Sequence, residues 1–216
     1  MSTPPGNVRL TPEPRIIFCG TVKSLKEARA VLSTSKVIFM DCEGVELGVR
    51  GGSLSILSLG TFPRDSPQNL VIYLIDVATL SDARLRPTFD LLATRNITKV
   101  VWDGRMDYSA LYHDYGVQMK NVIDLQIVDV LSRESRDTPE QHLQRFKGYV
   151  NAGLLERVEP KRRYARLHRV SSLLQAVKEH QPLGYEQFTK VQGMSARLFG
   201  SVISLAQFSC FSFLFS

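Results

Sequence analysis

The sequence predicts an α/β fold, in which a mixed five-stranded sheet of three antiparallel strands followed by two parallel ones carries flanking helices. Three apolar, β-branched runs stand close together between residues 36 and 77, separated by turns rich in glycine and proline. Helical and strand patterns then alternate along the chain. With 216 residues, 44% of them hydrophobic, the chain can bury a core without disulfides or a structural metal.

The N-terminal part of the chain combines a proline-rich tail with one helix. Residues 1–15 hold four prolines and no apolar run, so we expect a disordered tail and no secretion signal. A helix is predicted over Ser24–Leu32, with Ser24 as its N-cap and its apolar residues on one side.

The remaining elements follow from the spacing of apolar residues. Short turns separate the first three runs, which favours an antiparallel meander, and amphipathic segments then alternate with short apolar runs. The predicted strands cover Lys36–Asp41, Leu54–Thr61, Leu70–Val77, Lys99–Trp102 and Asn121–Asp124. The predicted helices between the later strands cover Ala83–Arg95 and Arg105–Tyr115, the second of which ends at Gly116.

The net charge of +6 is concentrated in the last third of the chain. Residues 1–132 hold 14 basic and 14 acidic side chains, whereas residues 133–216 hold 13 basic against seven acidic ones. The densest segment, Arg157–Arg169, is interpreted either as a solvated helix face or as a patch that binds a polyanion. The candidate nucleic-acid-binding residues are Lys161, Arg162, Arg163, Arg166 and Arg169.

Cysteine usage and the C-terminus bear on compartment and domain limits. Three cysteines without a Cys-x-x-Cys pair suit a reducing compartment, so we expect an intracellular protein, nuclear or cytoplasmic, and not a secreted one. One domain is predicted over residues 16–198, with a basic helical part at 143–198. Residues 199–216 carry no charge; a tail anchor or a core helix is conceivable for this atypical hydrophobic tail, but we favour a truncated or alternatively spliced end, and no membrane partner.

Two acidic side chains lie at the end of the first predicted strand. Asp41 and Glu43 point to the same side of an extended chain, while Cys42 points to the other side, where it can join the core. Like charges a few ångströms apart raise each other's pKa unless a cation lies between them. The pair therefore indicates either a solvated turn that binds nothing or a site for a divalent cation.

A second acidic cluster lies where a short strand turns into a helix. Asp103 is placed to be the N-cap of that helix, and Asp124 to be the N-cap of the next one. Asp107 lies about one turn into its helix, on the face that packs against the sheet, where a carboxylate needs a partner such as a metal ion.

Four segments together resemble a known family in order and spacing: Val37–Gly44, Gly52–Leu59, Val100–Val117 and Asn121–Gln126. They look like the 3′-5′ exonuclease domain of the ribonuclease D and Werner type, which is the DEDD branch of the ribonuclease H-like fold. The resemblance covers roughly residues 20–132. It implies a ribonuclease H-like sheet and hydrolysis of the 3′-terminal phosphodiester of single-stranded RNA or DNA.

The resemblance also implies a set of catalytic and metal-binding residues. Asp41, Glu43 and Asp107 match the family's first and second motifs, whose carboxylates hold two divalent ions, Mg²⁺ or Mn²⁺. Hard oxygen ligands suit such ions, and two of them about 4 Å apart can activate water and stabilise the departing oxygen. Asp41 would bridge the two ions.

The family's third motif is absent from the sequence. No Tyr-x-x-x-Asp or His-x-x-x-x-Asp follows Asp124, so a fourth carboxylate is missing. This absence leaves a second hypothesis open, in which the domain is an inactive pseudo-exonuclease that serves as an RNA-binding or protein-interaction scaffold.

Overall fold

The computed structural model describes residues 14–67, 69–150, 164 and 167–180. Six strands, numbered in chain order, are β1 (Arg15–Cys19), β2 (Val37–Val45), β3 (Ser53–Thr61), β4 (Val71–Asp76), β5 (Thr98–Val101) and β6 (Val122–Asp124). The helices are α1 (Val22–Leu32), α2 (Asp82–Ala93), α3 (Arg105–Tyr115), α4 (Leu125–Arg136), α5 (Pro139–Gln144) and α6 (Leu173–His180).

The strands form one mixed sheet in the order β1-β4-β3-β2-β5-β6. Strands β2, β3 and β4 are antiparallel neighbours, and β5 and β6 continue from β2 in parallel. The predicted α/β class and the sequence of antiparallel and then parallel strands are therefore confirmed.

The sheet has one strand more than predicted. Strand β1 pairs in parallel with β4 at the edge of the sheet and begins at Arg15, the last residue of the predicted tail. The apolar run of this strand, Ile16–Cys19, is only four residues long, and of the strand's residues only Cys19 is fully buried. Residues 1–13 of the predicted tail lie outside the described residues, as do residues 181–216.

Strand β2 continues beyond its predicted end, so that the two acids lie within the strand. Asp41 pairs with Ser58 of β3, and Glu43 pairs with Ile56. A bulge follows at Glu43 and Gly44, where a Cβ atom would lie 2.0 Å from the Ser53 carbonyl oxygen. Only glycine allows the two strands to approach so closely here.

Side chains of β2 alternate between two cores, one on each face of the sheet. Ile38, Met40 and Cys42 are buried in the core beneath α1 and α2. Phe39 lies in the opposite core, with Leu125 of α4. Because side chains alternate along a strand, Asp41 and Glu43 share the face of Phe39, and Cys42 is the core residue that the sequence predicted.

Helix boundaries agree with the sequence at α3 and differ at α1. Helix α3 covers the predicted residues and ends at Gly116, whose φ of 63° is left-handed. Helix α1 begins earlier than predicted: Thr21 is its N-cap and accepts a 3.2 Å hydrogen bond from the Ser24 backbone N–H. Ser24 is therefore the third helical residue of a capping box, and its prediction as the N-cap is wrong.

A buried ionic network joins α4 to α6. The carboxylate of Asp129 accepts hydrogen bonds from Arg133 and lies 3.0 Å from Nε2 of His180, the last residue of α6. Arg133 also donates to Ser171 Oγ, so one fully buried guanidinium connects the helix to the segment that precedes α6. Within the described part of the chain, no helix combines the length and hydrophobicity needed to cross a membrane.

We predict that Arg133→Met destabilises the protein by about 3 kcal/mol, because it leaves the buried Asp129 carboxylate without its main cation. The double variant Asp129→Leu/Arg133→Met should recover most of this loss, since it removes both charges. Urea unfolding followed by circular dichroism measures both values.

The control for this comparison is Glu134→Gln, an exposed position on the same helix, which should change the free energy of unfolding by less than about 0.5 kcal/mol. A double variant no more stable than Arg133→Met would show that packing, and not the lost charge balance, governs the site.

Candidate active site

The predicted acidic residues meet at the edge of the sheet where three parallel strands end. Phe39 of β2 pairs with Val100 of β5, which places Asp41 level with Trp102, the residue that follows β5. Asp124, at the end of β6, pairs with Val101. The register therefore brings the first acidic pair next to the turn that leads from β5 into α3.

Asp107 is connected directly to β2. Its side chain lies in the first turn of α3, is 6% exposed, and accepts a 3.1 Å hydrogen bond from the Cys42 backbone N–H. Cys42 lies between Asp41 and Glu43, so this bond brings the second predicted acidic motif to the first. The expected burial of Asp107 on the inner face of α3 is confirmed, together with Ala110 and Leu111.

Burial and mutual repulsion disfavour the charged forms of these acids. Burial, followed by the charges of Asp107 and Glu43, raises the pKa of Asp41 to about 7. Burial also raises the pKa of Asp107 to about 6, although the hydrogen bond from Cys42 opposes that shift. The pKa of Glu43 is raised as well, by partial burial of its carboxyl group. Among the described residues, no basic side chain forms an ion pair with any of the three.

The donor types fit a hard divalent cation, although the side chains do not yet form a complete cage. Carboxylate oxygens are the ligands that Mg²⁺ and Mn²⁺ prefer, and Asp41 and Asp107 lack a counter-charge. Across the described ranges, no group of three or more His, Cys, Asp and Glu side chains stands close enough to hold a metal ion. Joint ligation therefore requires side-chain rotation, for which the exposed Glu43 has the most freedom.

The turn before α3 differs from the sequence prediction. Gly104 is the N-cap residue and makes no side-chain cap, so the prediction that Asp103 caps the helix is wrong. Asp103 adopts a left-handed backbone with φ of 52°, which turns its carboxylate to the Arg105 guanidinium at 2.5 and 2.9 Å. A non-glycine residue in this region carries strain of order 1 kcal/mol, which its surroundings must offset.

Asp124 supplies part of that support. Its Oδ1 accepts the Gln126 backbone N–H at 2.9 Å, which confirms its predicted N-cap role for α4. The same carboxylate also accepts the backbone N–H groups of Asp103 at 3.0 Å and Gly104 at 3.2 Å. One side chain at the end of β6 therefore holds both the start of α4 and the turn before α3.

The loop between β2 and β3 packs against α3 from another side. Ser109 Oγ donates a 2.8 Å hydrogen bond to the Gly48 carbonyl oxygen. Gly48 has a φ of 70°, and a Cβ atom there would lie 2.6 Å from the Met106 carbonyl oxygen. Glycine is required for both reasons, and the contact holds α3 beside β2.

Of the predicted nucleic-acid-binding residues, only Arg169 lies in the described part of the chain; Lys161, Arg162, Arg163 and Arg166 lie outside it. The Arg169 guanidinium lies 3.8 Å from the ring centroid of Tyr149 and donates a 2.7 Å hydrogen bond to its hydroxyl. It also donates to the Arg145 carbonyl oxygen at 3.1 Å. Arg169 is thus engaged in internal contacts.

Sequence reasoning missed the polar inner face of α4. Gln126, Asp129 and Arg133 are all buried, and Gln126 Nε2 donates a 3.0 Å hydrogen bond to the Ser171 carbonyl oxygen. Their spacing of three and four residues places them on one helix face, so the signal was present as a polar stripe. Such a stripe predicts a helix face exposed to solvent. Its buried partners lie far away in the sequence, so the sequence alone does not identify them.

Comparison with known proteins relates this geometry to a family. A 3′-5′ exonuclease family model matches residues 17–145. The Egalitarian protein homolog of Caenorhabditis elegans is 30% identical over 140 residues, which are 60% of this chain and 23% of that protein. The chain therefore spans less than a quarter of the length of this curated relative.

Solved structures are also similar to this chain. The EXO domain of Aedes aegypti Nibbler is similar over 93% of this chain and 84% of that one, with a TM-score of 0.50 and 14% identity, which is a likeness of fold. Trypanosoma brucei RNase D, crystallised with RNA U12, is 28% identical to this chain, with a TM-score of 0.48. That similarity covers 55% of this chain and 40% of the RNase D chain.

The family match covers more than half of the chain and includes the strand and the helix on which Asp41, Glu43 and Asp107 lie. The resemblance inferred from the sequence is confirmed, and the chain belongs to the 3′-5′ exonuclease family.

Proposed function

We propose that this domain binds the 3′ end of single-stranded RNA or DNA at Asp41, Glu43 and Asp107, and hydrolyses the terminal phosphodiester with two Mg²⁺ or Mn²⁺ ions. The observation that carries the proposal is a pair of carboxylates, the half-buried Asp41 and the buried Asp107, that lack a basic partner among the described residues. Uncompensated negative charge at a sheet edge favours cations over phosphate, and phosphate binding then depends on those cations.

Each acid has a role that follows from its surroundings. Asp41 interacts with the charges of both Asp107 and Glu43, so its carboxylate would be the ligand that two ions share. Asp107 is oriented by the Cys42 backbone N–H, and Glu43 lies on the exposed end of β2. Bound divalent ions supply a nucleophile at neutral pH and stabilise charge on the departing oxygen. The protein contributes by holding these carboxylates close together and oriented.

The raised pKa values connect cation binding to proton release. At neutral pH without a cation, the Asp41 carboxyl group, with a pKa of about 7, is protonated in a large fraction of molecules. A cation must displace this proton, so we expect its affinity to increase with pH up to about 8.

A second function is supported by a different observation. The sequence holds no Tyr-x-x-x-Asp or His-x-x-x-x-Asp after Asp124, which leaves three of the family's four carboxylates. The second candidate is therefore a pseudo-exonuclease that retains the fold as a scaffold for binding RNA or protein. Hydrolysis distinguishes the two, since only the exonuclease cleaves the strand.

For the leading proposal, a 5′-labelled single-stranded RNA or DNA incubated with Mg²⁺ or Mn²⁺ should be shortened from its 3′ end in single-nucleotide steps. Asp41→Asn should reduce the rate by at least about 100-fold, because it removes the charge of the bridging ligand. Denaturing gel electrophoresis of time points measures the products.

The matched control for this assay is Asp90→Asn, an exposed carboxylate on α2, which should cleave at the wild-type rate. Binding without shortening in either metal would favour the scaffold, and shortening that survives in Asp41→Asn would exclude this site as its source.

The titration of Asp41 predicts a pH-dependent stability for the metal-free protein. The pKa of Asp41 is about 7 in the folded protein, against an ordinary value of 3.8. Between about pH 4 and 7 the folded protein therefore keeps the Asp41 proton, whereas the unfolded chain releases it. The free energy of unfolding contributed by Asp41 therefore falls as pH rises from about 4 to 7. Asp41→Asn should be more stable than the wild type by of order 3 kcal/mol at pH 8.

Urea unfolding in EDTA at pH 4, 6 and 8 measures this difference, which should approach zero at pH 4, where both side chains are neutral. Asp90→Asn, measured in parallel, should show no gain that increases with pH. Equal stability of Asp41→Asn and wild type at pH 8 would contradict a buried, repelled carboxylate.

The basic segment gives an independent prediction for nucleic-acid binding. Replacing Arg162, Arg163 and Arg166 with glutamine should weaken binding of single strands regardless of sequence. It should also reduce the slope of log affinity against log salt by about 2, since each lost phosphate contact removes about 0.7. Fluorescence anisotropy at several salt concentrations measures both.

A control triple variant neutralises Lys23, Lys26 and Arg84, which are exposed on α1 and α2, and should leave the slope unchanged. Equal effects of the two triple variants would mean that net charge, and not this segment, attracts the strand.

A further inference from the structure

We infer that Asp124 is a positioning residue for the Asp107 carboxylate, and that it sets the affinity of the site for divalent cations without contacting them. This inference rests on the proposed function, because it requires that Asp41, Glu43 and Asp107 bind such ions. It assigns to Asp124 a role beyond the cap of α4.

The first reason is the number of bonds that Asp124 makes. A helix cap needs one acceptor for a backbone N–H in the first turn, and Gln126 provides that donor. The two further bonds, from Asp103 and Gly104, lead 21 and 20 residues back along the chain. They serve the turn between β5 and α3, and capping of α4 does not require them.

The second reason is that this turn is under strain. Asp103 has a left-handed φ of 52°. A Cβ atom on Gly104 would lie 2.7 Å from the Val101 side chain, so the turn also packs tightly on the end of β5. The Asp124 carboxylate bonds the N–H groups of both turn residues, so it holds the backbone in a conformation that Asp103 would otherwise leave.

The third reason is the short path from the turn to Asp107. Helix α3 begins at Arg105, directly after the turn, and the Gly104 carbonyl oxygen accepts the Tyr108 N–H at 2.9 Å in its first turn. Asp107 lies inside that first turn and bonds to Cys42 of β2. A shift of the turn therefore moves Asp107 relative to Asp41, and metal ligation tolerates only a few tenths of an ångström.

The experiment separates the two roles of Asp124 with Asp124→Ser. Serine is a good N-cap for α4, yet its side chain is too short to replace the carboxylate at Asp103 and Gly104 as well. In Asp124→Asn, the amide oxygen can keep the cap of α4. The amide NH₂ group then faces an N–H of the turn, and because both are donors that hydrogen bond is lost.

Matched controls are Asp76→Ser and Asp76→Asn. Asp76 ends β4, and its Oδ1 accepts the Thr79 backbone N–H at 3.1 Å. It lies two strands from β2 on one side, as Asp124 does on the other, so both lie about 10 Å away across the sheet. Its variants remove the same charge at a similar distance, without affecting the turn before α3.

Mn²⁺ binding to the full chain is measured by electron paramagnetic resonance at pH 8, well below the thermal midpoint of each variant. Wild type should bind Mn²⁺, and Asp41→Asn should bind it far more weakly. Both Asp124 variants should lose about 10-fold in affinity, as is typical when a residue that orients a metal ligand is removed, while both Asp76 variants stay within about threefold of wild type.

The outcomes distinguish the inference from the proposed function. If wild type binds no Mn²⁺, or binds it as Asp41→Asn does, the proposed function fails. If wild type binds through Asp41 but the Asp124 and Asp76 variants bind alike, Asp124 is only a helix cap and the inference is wrong. If one Asp124 variant does not fold, the other decides between these outcomes.

Discussion

The hydrogen bond from the Cys42 backbone N–H to Asp107 is the interaction on which the candidate site depends. It joins the first turn of α3 to the middle of β2, and the two residues that flank Cys42 are the other two acids. Cys42 itself is anchored in the core, so the donor N–H has a fixed position. The site is therefore assembled by a contact between backbone and side chain, and not by contacts among the carboxylates, which repel each other.

This assembly is electrostatically unfavourable, and the fold offsets the cost. Burial and the neighbouring acids raise the pKa of Asp41 to about 7, and burial raises that of Asp107 to about 6, which costs free energy that the sheet and its two cores must supply. Asp41 lies on an inner strand of the sheet and Asp107 on a helix packed in its core, so neither backbone can move without disturbing that core. A loop would relax and release the repulsion, whereas β2 and α3 hold it, and this retained repulsion attracts cations.

Local patterns predicted much of this from the sequence. The inner strands, the limits of α3, the inward position of Asp107 and the face shared by Asp41 and Glu43 all follow from periodicity and chain direction. Strand β1 was missed because its apolar run, Ile16–Cys19, is too short to identify a strand by its pattern. The prediction that Asp103 caps α3 was wrong because the turn before the helix is left-handed. The bonds of Asp124 to that turn depend on the pairing of β5 with β6, which no local pattern reveals.

The two candidate functions share one physical basis. Because Asp41 and Asp107 can take up protons near neutral pH, the acidic edge can discharge itself without a metal ion, and the fold does not require the metal. A lineage that lost the fourth carboxylate would therefore keep a stable domain, with its sheet, its turn and its basic segment intact. Catalysis can disappear from such a domain while the surface that bound nucleic acid persists. The same acids that would serve hydrolysis in the proposed exonuclease are thus tolerated, as protonated groups, in a scaffold.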